Sequence, residues 1–414
     1  TQDQPDYRTL FTAWDYEEQQ YRRVNTSDLD PPIRRYRDMV EDNNEYSLDF
    51  TLPLFEASKI KWGGLVSDSD RVYNEITYNV SPLTWQGQPD TKLVRGIYTD
   101  PYIGFDFDQV EGIDRDGDGT IDRYNLIPAL SGRHFISRGI SGNNYVADGS
   151  VRAVYLMGDF GIFEDWRLIT GARWESNEMN VLQLLEQQGV DNREGGFDAD
   201  DLLPALSLVH TLTPNQNLRF GYGRTIAKPS FKELSPVVIE DSFTGDRFQG
   251  NPDLDRTVID NLDLRWEWFI DGRELLAVSA FYKDMDQPIE VLFFGGQDTN
   301  GDGAIDNFDL QPFERGNIVP QNVASGIVYG LELEWRLNLD RFAGSLAGFS
   351  AGGNVSLIES EVDVPNDEQL FFGSPDTRQL VGQSPFIVNF DLAYDNDALG
   401  TYLNLSYNYT DERL

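Results

Sequence analysis

Two stretches of the chain repeat one arrangement of oxygen-bearing residues. In the first, Asp114, Asp116, Asp118 and Asp122 stand at positions 1, 3, 5 and 9, with Gly119 at position 6 and the Thr120 carbonyl at position 7. In the second, Asp298, Asn300, Asp302 and Asp306 take the same places, with Gly303 at the turn and the Ala304 carbonyl at position 7. Calcium takes six to eight hard oxygen ligands, and this spacing wraps one ion because glycine permits the sharp bend. Position 12 is Asn125 in one loop and Asp309 in the other, where a bidentate Glu would close the shell, so closure is weaker, most of all in the first. No helical pattern flanks either loop. The spacing therefore predicts isolated calcium loops with a structural role, set against the plainer reading of solvated acidic turns.

Little else in the sequence can do covalent chemistry, and no catalytic residue is expected. Cysteine is absent and only His134 and His210 supply imidazole, so thiolate chemistry is excluded and a histidine-rich metal site or Ser-His-Asp triad is disfavoured. Glu332 and Glu334 sit two apart, as on the polar face of a strand, which reads as a solvated wall before it reads as an acid-base pair. Trp266, Trp268 and Trp335 could stack on sugars, but lipid-facing or interfacial positions explain them without a ligand. A net charge of −37 would repel a phosphate backbone, so nucleic acid is not an expected partner.

The elements that carry these loops announce themselves by alternation. Around residues 260–268, Leu262, Leu264, Trp266 and Trp268 share one face, and Asn261, Asp263, Arg265 and Glu267 the other. About twelve such segments recur from Glu45 onward, in six hairpins. The arms fall near 45–52 and 59–80, 151–159 and 166–178, 204–212 and 217–225, 257–269 and 273–286, 327–339 and 347–359, and 385–395 and 400–410. Gaps within a hairpin are short, with Pro214-Asn215 and Asp271-Gly272 as turn formers. Gaps between hairpins are longer: 81–150, 179–203, 226–256, 287–326 and 360–384. Mean hydropathy is −0.45, and no run approaches the roughly 18 apolar residues of a membrane helix. Strands that are half polar escape that test. The pattern predicts an all-β fold, an antiparallel transmembrane barrel with tight turns at one rim and long loops at the other. A soluble all-β protein stays open on patterning alone. Residues 1–44 read as a polar loop or strand-connecting segment of the barrel, helical or extended, and 45–414 as the barrel proper.

The stretch from Asn217 to Pro236, with its Thr225-Ile226-Ala227-Lys228-Pro229 run, resembles the barrel of TonB-dependent outer-membrane receptors, where such a strand passes into an external loop. Gly250-Asn251-Pro252-Asp253-Leu254 is similar to that family's return from loop to strand. Phe281 to Asp284, Pro288 to Glu290, Tyr329 to Glu334 and Gly382 to Pro385 add to the likeness. The resemblance implies an outer-membrane location in a Gram-negative cell, with the tight turns on the periplasmic side and the long loops extracellular. It implies about 12 strands of a 22-stranded barrel, with the plug domain, the TonB box and the last strands outside this chain. It also implies uptake of a scarce nutrient (iron chelate, cobalamin, glycan or peptide) with energy delivered by TonB through the plug. Outer-membrane lipid, the small ligand and a surface lipoprotein are the further partners implied. Alternatives are a passive porin-like channel and a secreted, calcium-stabilised adhesion or glycan-binding protein. Ligand contacts are expected in 81–150, 226–256, 287–326 and 360–384, without assignment to single residues.

Overall fold

The computed structural model describes residues 2–3, 12–15, 20–23, 33–55, 58–82, 110–113, 123–126, 134–139, 143–185, 192–240, 247–272, 274–294, 317–365, 376–396 and 398–413. Twelve long strands dominate them. These are β1 (Ile33–Phe55), β2 (Ser58–Pro82), β3 (Asn144–Phe163), β4 (Trp166–Leu184), β5 (Arg193–Thr213), β6 (Gln216–Ala227), β7 (Thr257–Asp271), β8 (Glu274–Asp286), β9 (Ser325–Asn338), β10 (Phe349–Asp363), β11 (Phe386–Asn396) and β12 (Thr401–Thr410). Each pairs antiparallel with the next, giving an unbroken meander. No ladder joins β1 to β12 among the described residues, so the barrel is partial. The single α-helix among them, α1 (Phe231–Leu234), is far too short to cross a membrane.

All six hairpins fall where alternation places them. Turn chemistry explains why the strands reverse there. Pro214 and Asn215 link β5 to β6, and the Asn215 carbonyl accepts from the Phe269 amide at 2.8 Å, tying the turn to β7. Asp271 Oδ1 accepts from the Gly272 amide at 2.7 Å. Between β9 and β10, Glu274 takes the Asn338 amide at 2.8 Å and the Arg341 guanidinium, which pins the one longer turn at this rim.

Register aligns the apolar face across the sheet. Phe160, Leu168, Leu208, Phe220, Leu264, Ala280, Leu331, Leu357 and Phe386 stand abreast on nine successive strands. No described residue covers this face: Leu331 is 56% exposed, Leu405 64%, and Leu262 and Leu333 about as open as each other at 42% and 40%. A soluble sandwich would bury that row under a second layer. Here it forms a continuous apolar band, which a bilayer satisfies because the ladders leave few backbone groups for lipid to meet.

The opposite face is a network of charges. Glu267 on β7 accepts from Arg219 on β6 at 2.7 Å and from Arg265 at 3.0 Å. Arg265 also reaches Glu334 on β9 at 2.7 Å and Ser279 on β8 at 3.0 Å. Ser356 on β10 donates to Glu332 at 3.3 Å. Glu332 and Glu334 are thus wall residues of the inner face, as their spacing suggests. His210 is stacked on Trp166 with centroids 4.1 Å apart, at the tight-turn rim.

Three expectations need correction. The first long strand begins at Ile33, not near Glu45, so the strand reaches back into the polar segment 1–44. The gap expected at 179–203 shrinks, because β4 runs to Leu184 and β5 starts at Arg193. The gaps 226–256 and 287–326 contain structure: Val238–Glu240, Arg247–Gln249, Asn317–Asn322 and Ile289–Phe294 form a separate four-stranded sheet. The physical cause is shared. Alternation is enforced only where one face meets hydrocarbon, and the strand ends away from the tight turns have protein or water on both sides.

Candidate functional site

The end of the barrel opposite the tight turns is its mouth, and the connections there fold inward. β6 stops at Ala227. Pro229 biases Lys228 to an extended conformation and cannot continue the ladder. Ser230 then caps α1. Its Oγ accepts the Glu233 amide at 3.3 Å, and the Glu233 carboxylate accepts the Ser230 amide at 2.7 Å. The reciprocal cap aims Phe231 and Leu234 at the wall. Both are buried with Val237 and Leu254 against Tyr73, Tyr145, Ala147 and Val181 of β2, β3 and β4. Those four wall residues share the parity of the charged face, so the contact lies inside the barrel. Gly149 of β3 leaves room for the Phe231 ring, which would stand 3.1 Å from a Cβ placed there. The Arg71 guanidinium lies 5.1 Å from the centroid of the same ring.

The return to β7 is built as tightly. A Cβ on Gly250 would meet the Ser235, Lys232 and Glu233 carbonyl oxygens at 1.9, 2.8 and 2.9 Å. Only glycine lets these backbones approach. Asn251 donates its amide to the Glu233 carbonyl at 2.6 Å and its Nδ2 to the Pro320 carbonyl at 3.1 Å. Asn251 Oδ1 takes the Asp253 amide at 3.0 Å.

Charge anchors complete the seat. Lys228 Nζ donates to Asn177 Oδ1 at 2.8 Å, and burial holds its pKa below the ordinary lysine value. Arg256 grips Asp201 at 2.6 and 2.8 Å, and this carboxylate raises the guanidinium pKa. A second cluster, Leu292, Val323 and Val362 with Leu380 beside it, seats the small sheet on the inner face of β10. Glu290 of that sheet is buried and paired with Arg378 at 2.8 Å. Both hydrophobic clusters of the described residues therefore lie inside the barrel, at its mouth.

The residues expected to bind calcium, 114–122 and 298–306, lie outside the described residues. The first loop is flanked by Val110–Ile113 and Arg123–Leu126, which pair antiparallel with Ile113 opposite Arg123. Its frame is a hairpin, consistent with the absence of flanking helices in the sequence. Among the described residues no cluster of three or more carboxylate or imidazole groups suits a metal. Of the expected ligand-contact gaps, 226–256 and parts of 287–326 and 360–384 do meet at the mouth. The seat residues Arg71, Tyr73, Tyr145 and Val181 were not singled out from the sequence. The Ser230–Glu233 capping spacing was a readable signal for the segment that covers them.

An antiparallel meander, apolar outside and charged inside, with connections folded into one end, defines a transmembrane β-barrel of the outer-membrane type. The chain belongs to the TonB dependent receptor-like β-barrel family, whose model matches residues 1–414. Members are outer-membrane β-barrels and receptors rather than enzymes, and this chain resides in that membrane. Among solved structures it is similar to the copper transporter OprC (TM-score 0.51, 13% identity, 93% of this chain and 46% of that one). It is also similar to the siderophore receptor PiuA from Acinetobacter baumannii (TM-score 0.50, 12% identity, 88% and 44%). A third is the ferric-catecholate import receptor Fiu from K12 E. coli (TM-score 0.48, 13% identity, 91% and 48%). At these identities the likeness is one of fold. The chain spans about half the length of the structures it matches. Among curated proteins, none matches it.

Proposed function

We propose that the chain forms part of the wall and the mouth of a receptor that imports a scarce nutrient with energy supplied through TonB. The observation that carries this reading is the inward packing of 228–256 and of the small sheet. A passive pore needs an open lumen. Here apolar clusters and paired, buried carboxylates fix folded connections across the mouth, an arrangement suited to holding a ligand until a gate moves. The polar inner face offers a docking wall for a plug domain, and TonB would act through that domain. The cargo class is a small metal complex, as the similarity to a siderophore receptor and to a copper transporter suggests. The decisive experiment is uptake of radiolabelled ferric chelates by cells expressing the complete protein, with and without a protonophore. Uptake should cease when the proton gradient collapses. Uptake that persists identifies a passive channel instead.

We also infer that Asp114, Asp116, Asp118 and Asp122, and Asp298, Asn300, Asp302 and Asp306, each wrap a calcium ion outside the cell. What supports this is the repeated spacing with its central glycine, and the charge of −37, which a divalent cation would relieve locally. Terbium luminescence of the complete protein should titrate two sites. Asp116→Asn with Asp118→Asn should remove one, and unchanged stoichiometry would refute the assignment.

A further inference from the structure

Three crossings between the wall and the folded connections converge on one side chain. The segment 228–256 hands over to β7 at Asp255 and Arg256, β8 passes into the small sheet at Gln287, and the sheet returns to β9 through Asn322 and Val323. Asn322 Oδ1 accepts the Asp255 amide at 2.9 Å. Its Nδ2 donates to the Asp255 carbonyl at 3.0 Å and to the Gln287 carbonyl at 2.9 Å. The reciprocal pair with Asp255 copies the bonding of two antiparallel strands, with a side chain in place of one of them. Both amide hydrogens are used. A flipped amide would set donor against donor at Asp255, so the partners fix its orientation. Gln would carry the same groups one carbon too far, and Asp would lose both donations.

Gln287 shows that this junction is held against a cost. Its φ is +53°, and it is the single non-glycine residue with positive φ among the described residues. Such strain persists only where the surroundings over-determine it. Here the Gln287 carbonyl takes Asn322 Nδ2 and also the hydroxyl of buried Thr257, the latter at 3.0 Å. Beside it the Val323 amide donates to the Pro288 carbonyl at 2.9 Å, so the small sheet leaves and re-enters the wall at one point. Two further links join the same partners away from the junction. Arg247 and Phe248 ladder in parallel with Asn317 and Ile318, and Asn251 Nδ2 reaches the Pro320 carbonyl.

We propose that 228–256 and 288–323 form one cap instead of two independent loops, and that Asn322 keys this cap to the wall. Displacing either connection displaces the other. On the reading of the mouth as a ligand-holding gate, cargo that touches one connection acts on both, and the gate opens as a unit. The cap itself is tested without cargo or TonB, so failed uptake and a failed cap are separate results.

Hydrogen exchange of the complete protein in nanodiscs, followed by mass spectrometry, reads the cap peptide by peptide. Asn322→Ala should speed exchange roughly tenfold at Gly250 and Asn251 and in the 289–294 and 317–322 ladder alike, while β8 and β9 keep their protection. Leu292→Ala is the second variant. It empties a buried site on the far strand of the small sheet, which shares no ladder with 228–256. Faster exchange should nonetheless reach Gly250 and Asn251. Asn180→Ala, exposed on the outer face of β4, should change neither region. Heat-modifiable gel migration checks that every variant is folded. A rise confined to the small sheet in either variant, no rise with Asn322→Ala, or a rise spread through β8 and β9 overturns the proposal.

Discussion

Strand β7 can be read from either side, and the two sides obey different rules. Outward, Leu262, Leu264, Trp266 and Trp268 have neighbours of similar kind and little fixed geometry beyond the 3.2 Å bond from Trp266 Nε1 to Gln216. Inward, Arg265 and Glu267 hold named partners on β6, β8 and β9. The outer side asks for a solvent class, and the inner side asks for particular atoms. Substitution should therefore be tolerated outside whenever it stays apolar, and inside only when it keeps a donor or acceptor in place.

The contrast breaks most sharply at the centre of the apolar band. Leu264→Arg places a charge against hydrocarbon and should cost about 2–4 kcal/mol. Asp263→Arg, one residue along and facing the lumen, should cost far less. Urea unfolding in lipid vesicles compares the two, and equal costs would mean that Leu264 does not face lipid. Next comes the mouth. Gly250→Ala must push aside three carbonyl oxygens and should destabilise the seat of 228–256 by about 1–3 kcal/mol. Limited proteolysis should then cut within 228–256 while the strands stay protected. A smaller effect is expected on the inner wall. Glu267→Gln weakens two charge-assisted bonds and should cost about 1–2 kcal/mol, with most of it lost in an Arg219→Met background.

The smallest effect is one of pH. Burial depresses the folded-state pKa of Lys228 below the ordinary 10.5, so the folded protein releases this proton before the unfolded chain does. The charged form costs stability below the folded value, and that cost is relieved as pH rises from there to 10.5. Lys228→Met should flatten this rise, seen as a change in unfolding midpoint of less than about 1 kcal/mol. Wild-type stability that falls through the same window through Lys228 would contradict the assignment.

What could be read from the sequence follows the same division. Every hairpin was visible, because a bilayer on one side and water on the other force a period of two on residues such as Leu331, Glu332, Leu333 and Glu334. The upper reaches were not. Arg193 to Asp201 and Ile33 to Asn44 are strand beyond the apolar band, and their composition looks like a gap. The small sheet was hidden for a further reason. Its Arg247 and Phe248 pair in parallel with Asn317 and Ile318, about seventy residues away, which no local pattern encodes. The seat residues escaped because Tyr73, Tyr145 and Val181 belong to different strands and become neighbours only through register. The Ser230–Glu233 spacing encodes a cap, but a cap alone does not tell which surface its helix will cover.

The segment that begins at Lys228 rests on β2, β3 and β4, all of which precede it in the chain. A barrel laid down hairpin by hairpin from its start would have this cradle complete before Phe231 and Leu234 emerge to occupy it. Assembly from the opposite end would leave those side chains waiting for strands not yet in place. The order in which these strands pair therefore sets how long Phe231 and Leu234 stay exposed, with consequences for aggregation.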